Sequence, residues 1–146
     1  MVTGGCLCGG VRFEIDGRLT QIQICHARRC QKATGSAFAP ELATKRARFR
    51  WTAGEELISR WEAPLLREPP PYRRAFCRVC GSPVPVDIEG TEFIGLLAGV
   101  LEGDLDTQTF RHIFVDQGAP WHSIGDELEQ FAERPPVGTR LRGPDR

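Results

Sequence analysis

Gly4–Gly10 reads GGCLCGG and Phe76–Pro83 reads FCRVCGSP, and these two short stretches decide the architecture. Cys6 and Cys8 form Cys-x-Cys. On an extended segment, residues two apart point to one face, about 6.6 Å apart along the strand. The spacing therefore predicts two sulfurs that lean together onto one ion at roughly 2.3 Å. Gly4, Gly5, Gly9 and Gly10 leave the backbone free to curl around it. Cys77 and Cys80 form Cys-x-x-Cys followed by Gly81, the spacing of a zinc knuckle, whose turn often needs a positive φ. The two pairs supply four thiolates, the complement of a closed structural zinc site, and would staple the start of the chain to its middle. Such a site carries folding free energy on the order of 10 kcal/mol. Two plainer readings explain less. Unliganded buried cysteines do not account for paired spacings with matching glycines, and a thioredoxin-like redox pair lacks a βαβ surrounding.

Outward from these pairs the pattern is that of strands. VRFEI (Val11–Ile15) and LTQIQIC (Leu19–Cys25) alternate as half-buried strands do. Ala37–Thr44, Leu57–Trp61, Tyr72–Phe76, Pro83–Ile88, Phe93–Ala98 and Arg111–Val115 read as further strands. Ala27–Thr34 is the place for one short helix, closed by Gly35, and Asp126–Ala132 for a terminal helical turn. Sixteen glycines and eleven prolines suit short strands and turns better than long helices. The proline-rich EAPLLREPPP (Glu62–Pro71) reads as a surface loop. The fold class expected is mainly β with one short helix. It forms one zinc-binding domain over residues 1–133, followed by a flexible tail at 134–146.

Nineteen basic residues balance nineteen acidic ones, so a general attraction to nucleic acid or an anionic membrane is not indicated. The apolar stretch Ile94–Leu101 is too short to span a bilayer, and the first residues do not read as a secretory signal. The expected location is the cytoplasm, where thiols stay reduced and six cysteines call for metal rather than disulfides.

Cys25 and Cys30 lie in CHARRCQKATGSAF. Alone, Cys-x4-Cys says little about metal. Taken with GGCLCGG, FCRVCGSP and the closing RHIFVDQGAPWHSIGDEL, through His112, Pro120, Trp121 and Asp126, it resembles the glutathione-dependent formaldehyde-activating enzyme family, which includes centromere protein V. The resemblance runs from about Gly4 to Phe131. It implies several small antiparallel sheets gathered around the structural zinc. It also implies a second, catalytic zinc held by three cysteines with one position open, as a substrate atom requires. The implied chemistry is that of a carbon–sulfur lyase: a thiol such as glutathione and formaldehyde exchange with their hydroxymethyl adduct.

This chain departs from the family at that second site. The middle cysteine of the family's C-x-C-x-x-C falls on Ala27, whose methyl group cannot bind zinc. Cys25 and Cys30 remain as metal ligands and catalytic residues. His26 is the nearest replacement in sequence but would point to the opposite face from Cys25 on an extended segment. His112 or His122 could approach only through the fold. Arg28, Arg29 and Lys32 would either receive the carboxylates of a thiol substrate or form a solvated basic face. Trp51, Trp61 and Trp121 read as core or rim residues. Two functions are thereby expected: a carbon–sulfur lyase acting on small-thiol adducts with a degenerate second site, or a non-catalytic, zinc-stabilised protein that binds a small thiol or a partner.

Overall fold

The computed structural model describes residues 1–63 and 72–136; most of the proline-rich stretch and of the expected tail lie outside them. In chain order the elements are β1 (Val2–Gly5), β2 (Arg12–Ile15), β3 (Ile22–Cys25), α1 (Arg28–Thr34), β4 (Ala39–Lys45), β5 (Phe49–Ala53), β6 (Ile58–Glu62), β7 (Arg73–Cys77), β8 (Val86–Asp87), β9 (Phe93–Leu97), β10 (Leu101–Glu102), β11 (Thr109–Ile113) and β12 (Glu129–Gln130). The protein is mainly β with one α-helix among the described residues, as its turn-rich sequence predicts. None of the described helices is long and apolar enough to cross a membrane. The chain divides into two compact units.

The first unit comprises Met1–Leu19 and Ala43–Asp106. Its four-stranded antiparallel sheet has the order β10-β1-β2-β5. The alternation in VRFEI is realised literally: Val11, Phe13 and Ile15 are buried, while Arg12 and Glu14 point outward to ion pairs with Glu102 and Arg50. Gly4 lies so close to the Phe13 ring that a Cβ would stand 2.3 Å from it. Phe13 packs against Phe49 and meets Trp51 edge-on. β6 and β7 pair antiparallel in the register Ile58↔Cys77, which carries Cys77 into a core of Cys6, Val11, Ala75 and Val84. Trp51, Leu57 and Ile58 cover that cluster. Burying it contributes roughly 2 kcal/mol per large apolar side chain.

The second unit comprises Thr20–Leu42 and the chain from Thr107 onward. Here β12, β11, β3 and β4 lie side by side. β3 and β4 are antiparallel, but β11 runs parallel to both β3 and β12, a departure from the all-antiparallel expectation. Parallel neighbours cannot be joined by a tight hairpin, and the long chain between Cys25 and Thr109 meets that requirement. The helical turn expected at Asp126–Ala132 is replaced by β12. The Asp126 carboxylate accepts the Leu128 N–H at 2.9 Å, a turn that redirects the backbone before Glu129 and Gln130 pair with Arg111 and His112.

The helix α1 ends as predicted, with Gly35 left-handed at φ 67° and its N–H on the Gln31 carbonyl. Its start is capped from far along the chain. Ala27 offers no side-chain oxygen, and Gln117 Oε1 accepts the Arg28 N–H at 3.0 Å. Gln31 Nε2 in turn donates to the carbonyls of His26 and Gln117.

Candidate metal centres

Among the described residues, each unit gathers one group of metal-ligating atoms. In the first, the ligand atoms of Cys6, Cys8, Cys77 and Cys80 all lie within 4.8 Å of one another. Cys8 Sγ is 3.5 Å from Cys6 Sγ and 3.9 Å from Cys77 Sγ, bracketing the edge of about 3.8 Å that a tetrahedron with 2.3 Å metal–sulfur bonds requires. The Cys-x-Cys pair does not sit on an extended strand as expected. β1 stops at Gly5, and the Gly9 N–H closes a turn onto the Cys6 carbonyl at 2.9 Å, with Gly9 at φ 76°. A turn brings sulfurs two residues apart closer than an extended chain does. At the other pair the Gly81 N–H returns to the Cys77 carbonyl, and Gly81 takes φ 74°, the positive value expected.

Hydrogen bonds tune these sulfurs. Burial opposes ionisation of Cys6, but the Val11 N–H at 3.2 Å and the thiols of Cys8 and Cys77 outweigh it and lower its pKa. Cys80 is lowered to about 5, chiefly by the hydroxyl and then the backbone of Ser82. Cys8 moves the other way. The Gly10 N–H works to lower it, yet the sulfur of Cys6, loss of solvent and the sulfurs of Cys80 and Cys77 carry it up to about 11. Four sulfurs competing for negative charge are what a divalent, thiophilic cation relieves, so the donor set fits zinc.

In the second unit the group is Cys25, Cys30 and Glu41. Cys25 closes β3, Cys30 lies on α1, and both are 1% exposed. The Cys30 thiol donates to Cys25 Sγ at 3.1 Å and approaches Glu41 Oε1 at 3.4 Å. Its pKa is pushed strongly upward by the Cys25 contact, by burial and by the negative charge of Glu41. Two thiols and a carboxylate suit zinc as well. Occupancy requires the sulfur–sulfur edge to widen by about 0.7 Å, and three protein ligands leave a fourth position for another atom.

Sequence reading missed Glu41. It becomes visible only through register: Cys25 stands opposite Ala39, so Glu41, two residues along, shares the face of Cys25. Ala27 is buried at the start of α1 and contributes no donor.

The three histidines do not join the cysteines in either group. They meet one another instead. His26, 2% exposed, places Nε2 2.8 Å from His112 Nδ1, and His112 Nε2 lies 3.0 Å from Asp126 Oδ1. The Leu128 N–H, followed by the His112 contact, holds the Asp126 carboxyl below its ordinary pKa. An ionised Asp126 only accepts, so His112 donates to it from Nε2; a neutral His112 then accepts the His26 Nε2–H at Nδ1. His122 stacks on His26 with ring centroids 6.2 Å apart. Burial, followed by the two neighbouring imidazoles, lowers the His26 pKa. Arg28 and Lys32 are exposed on α1. Trp51 is half-buried, whereas Trp61 and Trp121 are exposed.

The fold and the two donor groups define a small, mainly β protein with two places able to hold a metal ion. The family model for the glutathione-dependent formaldehyde-activating enzyme matches residues 1–117, and the chain belongs to that family. A crystal structure of a Rhodobacter sphaeroides protein shares the fold at a TM-score of 0.52 and 19% identity, covering 73% of this chain and 98% of that one. No curated protein sequence matches.

Proposed function

We propose that this protein is a zinc-dependent carbon–sulfur lyase acting on adducts of a small, glutathione-like thiol with an aldehyde. The observation that carries this reading is the pair of fully buried thiols, Cys25 and Cys30, held beside a carboxylate with three protein donors rather than four. Cys6, Cys8, Cys77 and Cys80 form the closed group, whose role is to hold the first unit together.

Zinc bound at Cys25 and Cys30 would supply Lewis acidity and stabilise a thiolate. In adduct cleavage the carbon–sulfur bond breaks with its electron pair on sulfur, while the hydroxyl loses its proton and becomes the aldehyde carbonyl. Addition is the reverse. Cys25 and Cys30 would hold the metal, and their burial keeps bulk water away from the ligand sulfurs. Arg28 and Lys32, exposed one helical turn apart, suit the carboxylates of a glutathione-like substrate. Six cysteines serving as metal ligands suit a reducing location such as the cytoplasm, where thiols are not oxidised to disulfides.

The test is the rate of thiol–formaldehyde adduct cleavage by zinc-loaded protein, measured against the uncatalysed exchange. A rate above background that disappears in C30S supports the lyase. A rate equal to background would leave the second reading, a non-catalytic zinc-stabilised protein that binds a small thiol or a partner. The methyl group of Ala27, where the family pattern has a thiol, is what favours that alternative.

A further inference from the structure

We propose that Glu41 is the third protein ligand of the second centre, replacing the thiolate that Ala27 cannot provide, and that Gln23 and Arg111 hold it in that role. This rests on the reading of Cys25 and Cys30 as metal ligands but not on any catalysis there.

Three residues stand side by side on adjacent strands. Arg111 on β11 is the register partner of Gln23 on β3, and Gln23 is the partner of Glu41 on β4. Arg111 donates from Nε and Nη2 to Gln23 Oε1 at 3.2 and 2.8 Å. That fork fixes the Gln23 amide with its oxygen toward Arg111 and its NH2 toward β4. Gln23 Nε2 then donates to Glu41 Oε2 at 3.1 Å. One carboxylate oxygen is thereby occupied, and the other, Oε1, is turned toward Cys30 Sγ at 3.4 Å. A tetrahedral site with one metal–sulfur and one metal–oxygen bond has an S···O edge of about 3.6 Å.

A hydrogen-bonded carboxylate whose second oxygen faces the metal is the usual way outer groups orient a ligand. Arg111 is itself only 6% exposed, flanked by the Phe110 ring at 4.6 Å. A buried guanidinium is costly unless it serves an acceptor, and the row from Arg111 to Glu41 gives it one. The result is a donor set of two sulfurs and one oxygen, harder than three thiolates.

The test uses full-length protein loaded with zinc and dialysed, with zinc per chain measured by elemental analysis and second-site affinity by competition with a chromophoric chelator. Wild type should hold two zinc ions. E41Q keeps the size of the side chain and a hydrogen-bonding partner for Gln23, so a purely structural Glu41 tolerates it, whereas a ligand does not. It should hold one zinc, retained by the four-cysteine group, with its circular dichroism spectrum unchanged. Adding A27C to E41Q should restore two. Q23A should weaken the second zinc by about 10–100-fold, and this variant carries the test if E41Q does not fold. One zinc in wild type, or two in E41Q at unchanged affinity, would overturn the proposal; unchanged affinity in Q23A would overturn the bracing role. Two zinc ions in wild type, loss in E41Q and no adduct cleavage above background would sink the lyase reading and leave this one standing.

Discussion

The two donor groups are built by opposite means. The four thiols of the first unit cluster at two turns, Cys6–Gly9 and the Cys77–Gly81 turn that follows the end of β7, and are unevenly exposed: Cys6 and Cys77 are buried, Cys8 is at the surface. The two thiols and the carboxylate of the second unit sit on the end of β3, on α1 and on β4, with both sulfurs buried. Local backbone geometry makes the first group; strand register makes the second. A turn announces itself through spacing and glycine, whereas register leaves almost no mark in a single sequence.

The largest effect expected follows from breaking the first group. Cys77 is fully buried in the unit's core, and C77S leaves three thiols where four are needed. Loss of the zinc proposed there, worth on the order of 10 kcal/mol, would remove most of a small protein's stability of about 5–15 kcal/mol. C77S should show no cooperative thermal transition by circular dichroism; a melting temperature equal to wild type would refute the structural role. The same group can be disturbed without touching a sulfur. Gly54 has φ 72°, and a Cβ there would stand 2.0 Å from the Gly10 carbonyl oxygen, beside the Cys-x-Cys turn. G54A should cost roughly 2–4 kcal/mol through backbone strain and overpacking, read from chemical denaturation. A loss under 1 kcal/mol would show that this turn tolerates displacement.

The second group should respond more mildly to changes outside its ligands. Q117A removes the cap on the Arg28 N–H of the helix that carries Cys30. It should cost about 1 kcal/mol, seen as a small drop in melting temperature together with weaker binding of the second zinc. The smallest effect concerns Asp126. Its pKa is depressed in the fold, so its contribution to stability is fully present above the ordinary carboxyl pKa and lost as pH falls through the depressed value. D126N should remove that contribution. The gap in melting temperature between wild type and D126N should close on acidification below about pH 4. A gap independent of pH would mean that Asp126 acts through its shape alone.

These contrasts follow what could be read from the chain. Cys6, Cys8, Cys77 and Cys80 were legible because their spacing and glycines are local, even though the Cys-x-Cys proved to be a turn rather than a strand. VRFEI, the helix before Gly35 and the strand before Cys77 were legible from alternation and capping. β12 was not, because Glu129 and Gln130 have no strand character of their own and acquire it by pairing with Arg111 and His112. Glu41 was not, because its meaning depends on which residue of β3 it faces. Gln117 as the cap of α1 and Asp126 as the end of a histidine chain belong to the same class: partners outside the element they serve set the environment.

The spacing of the donors along the chain also carries a consequence for assembly. Cys25, Cys30 and Glu41 are separated by steps of five and eleven residues, whereas Cys8 must find Cys77 across sixty-nine. Closing a short loop costs less chain entropy and happens sooner than closing a long one. In a refolding experiment with zinc present, metal uptake at the second centre should therefore precede uptake at the first, and simultaneous filling would contradict this order. On that prediction the group best hidden in the finished protein is the earlier one to find its metal, and the group proposed to stabilise the fold is the later.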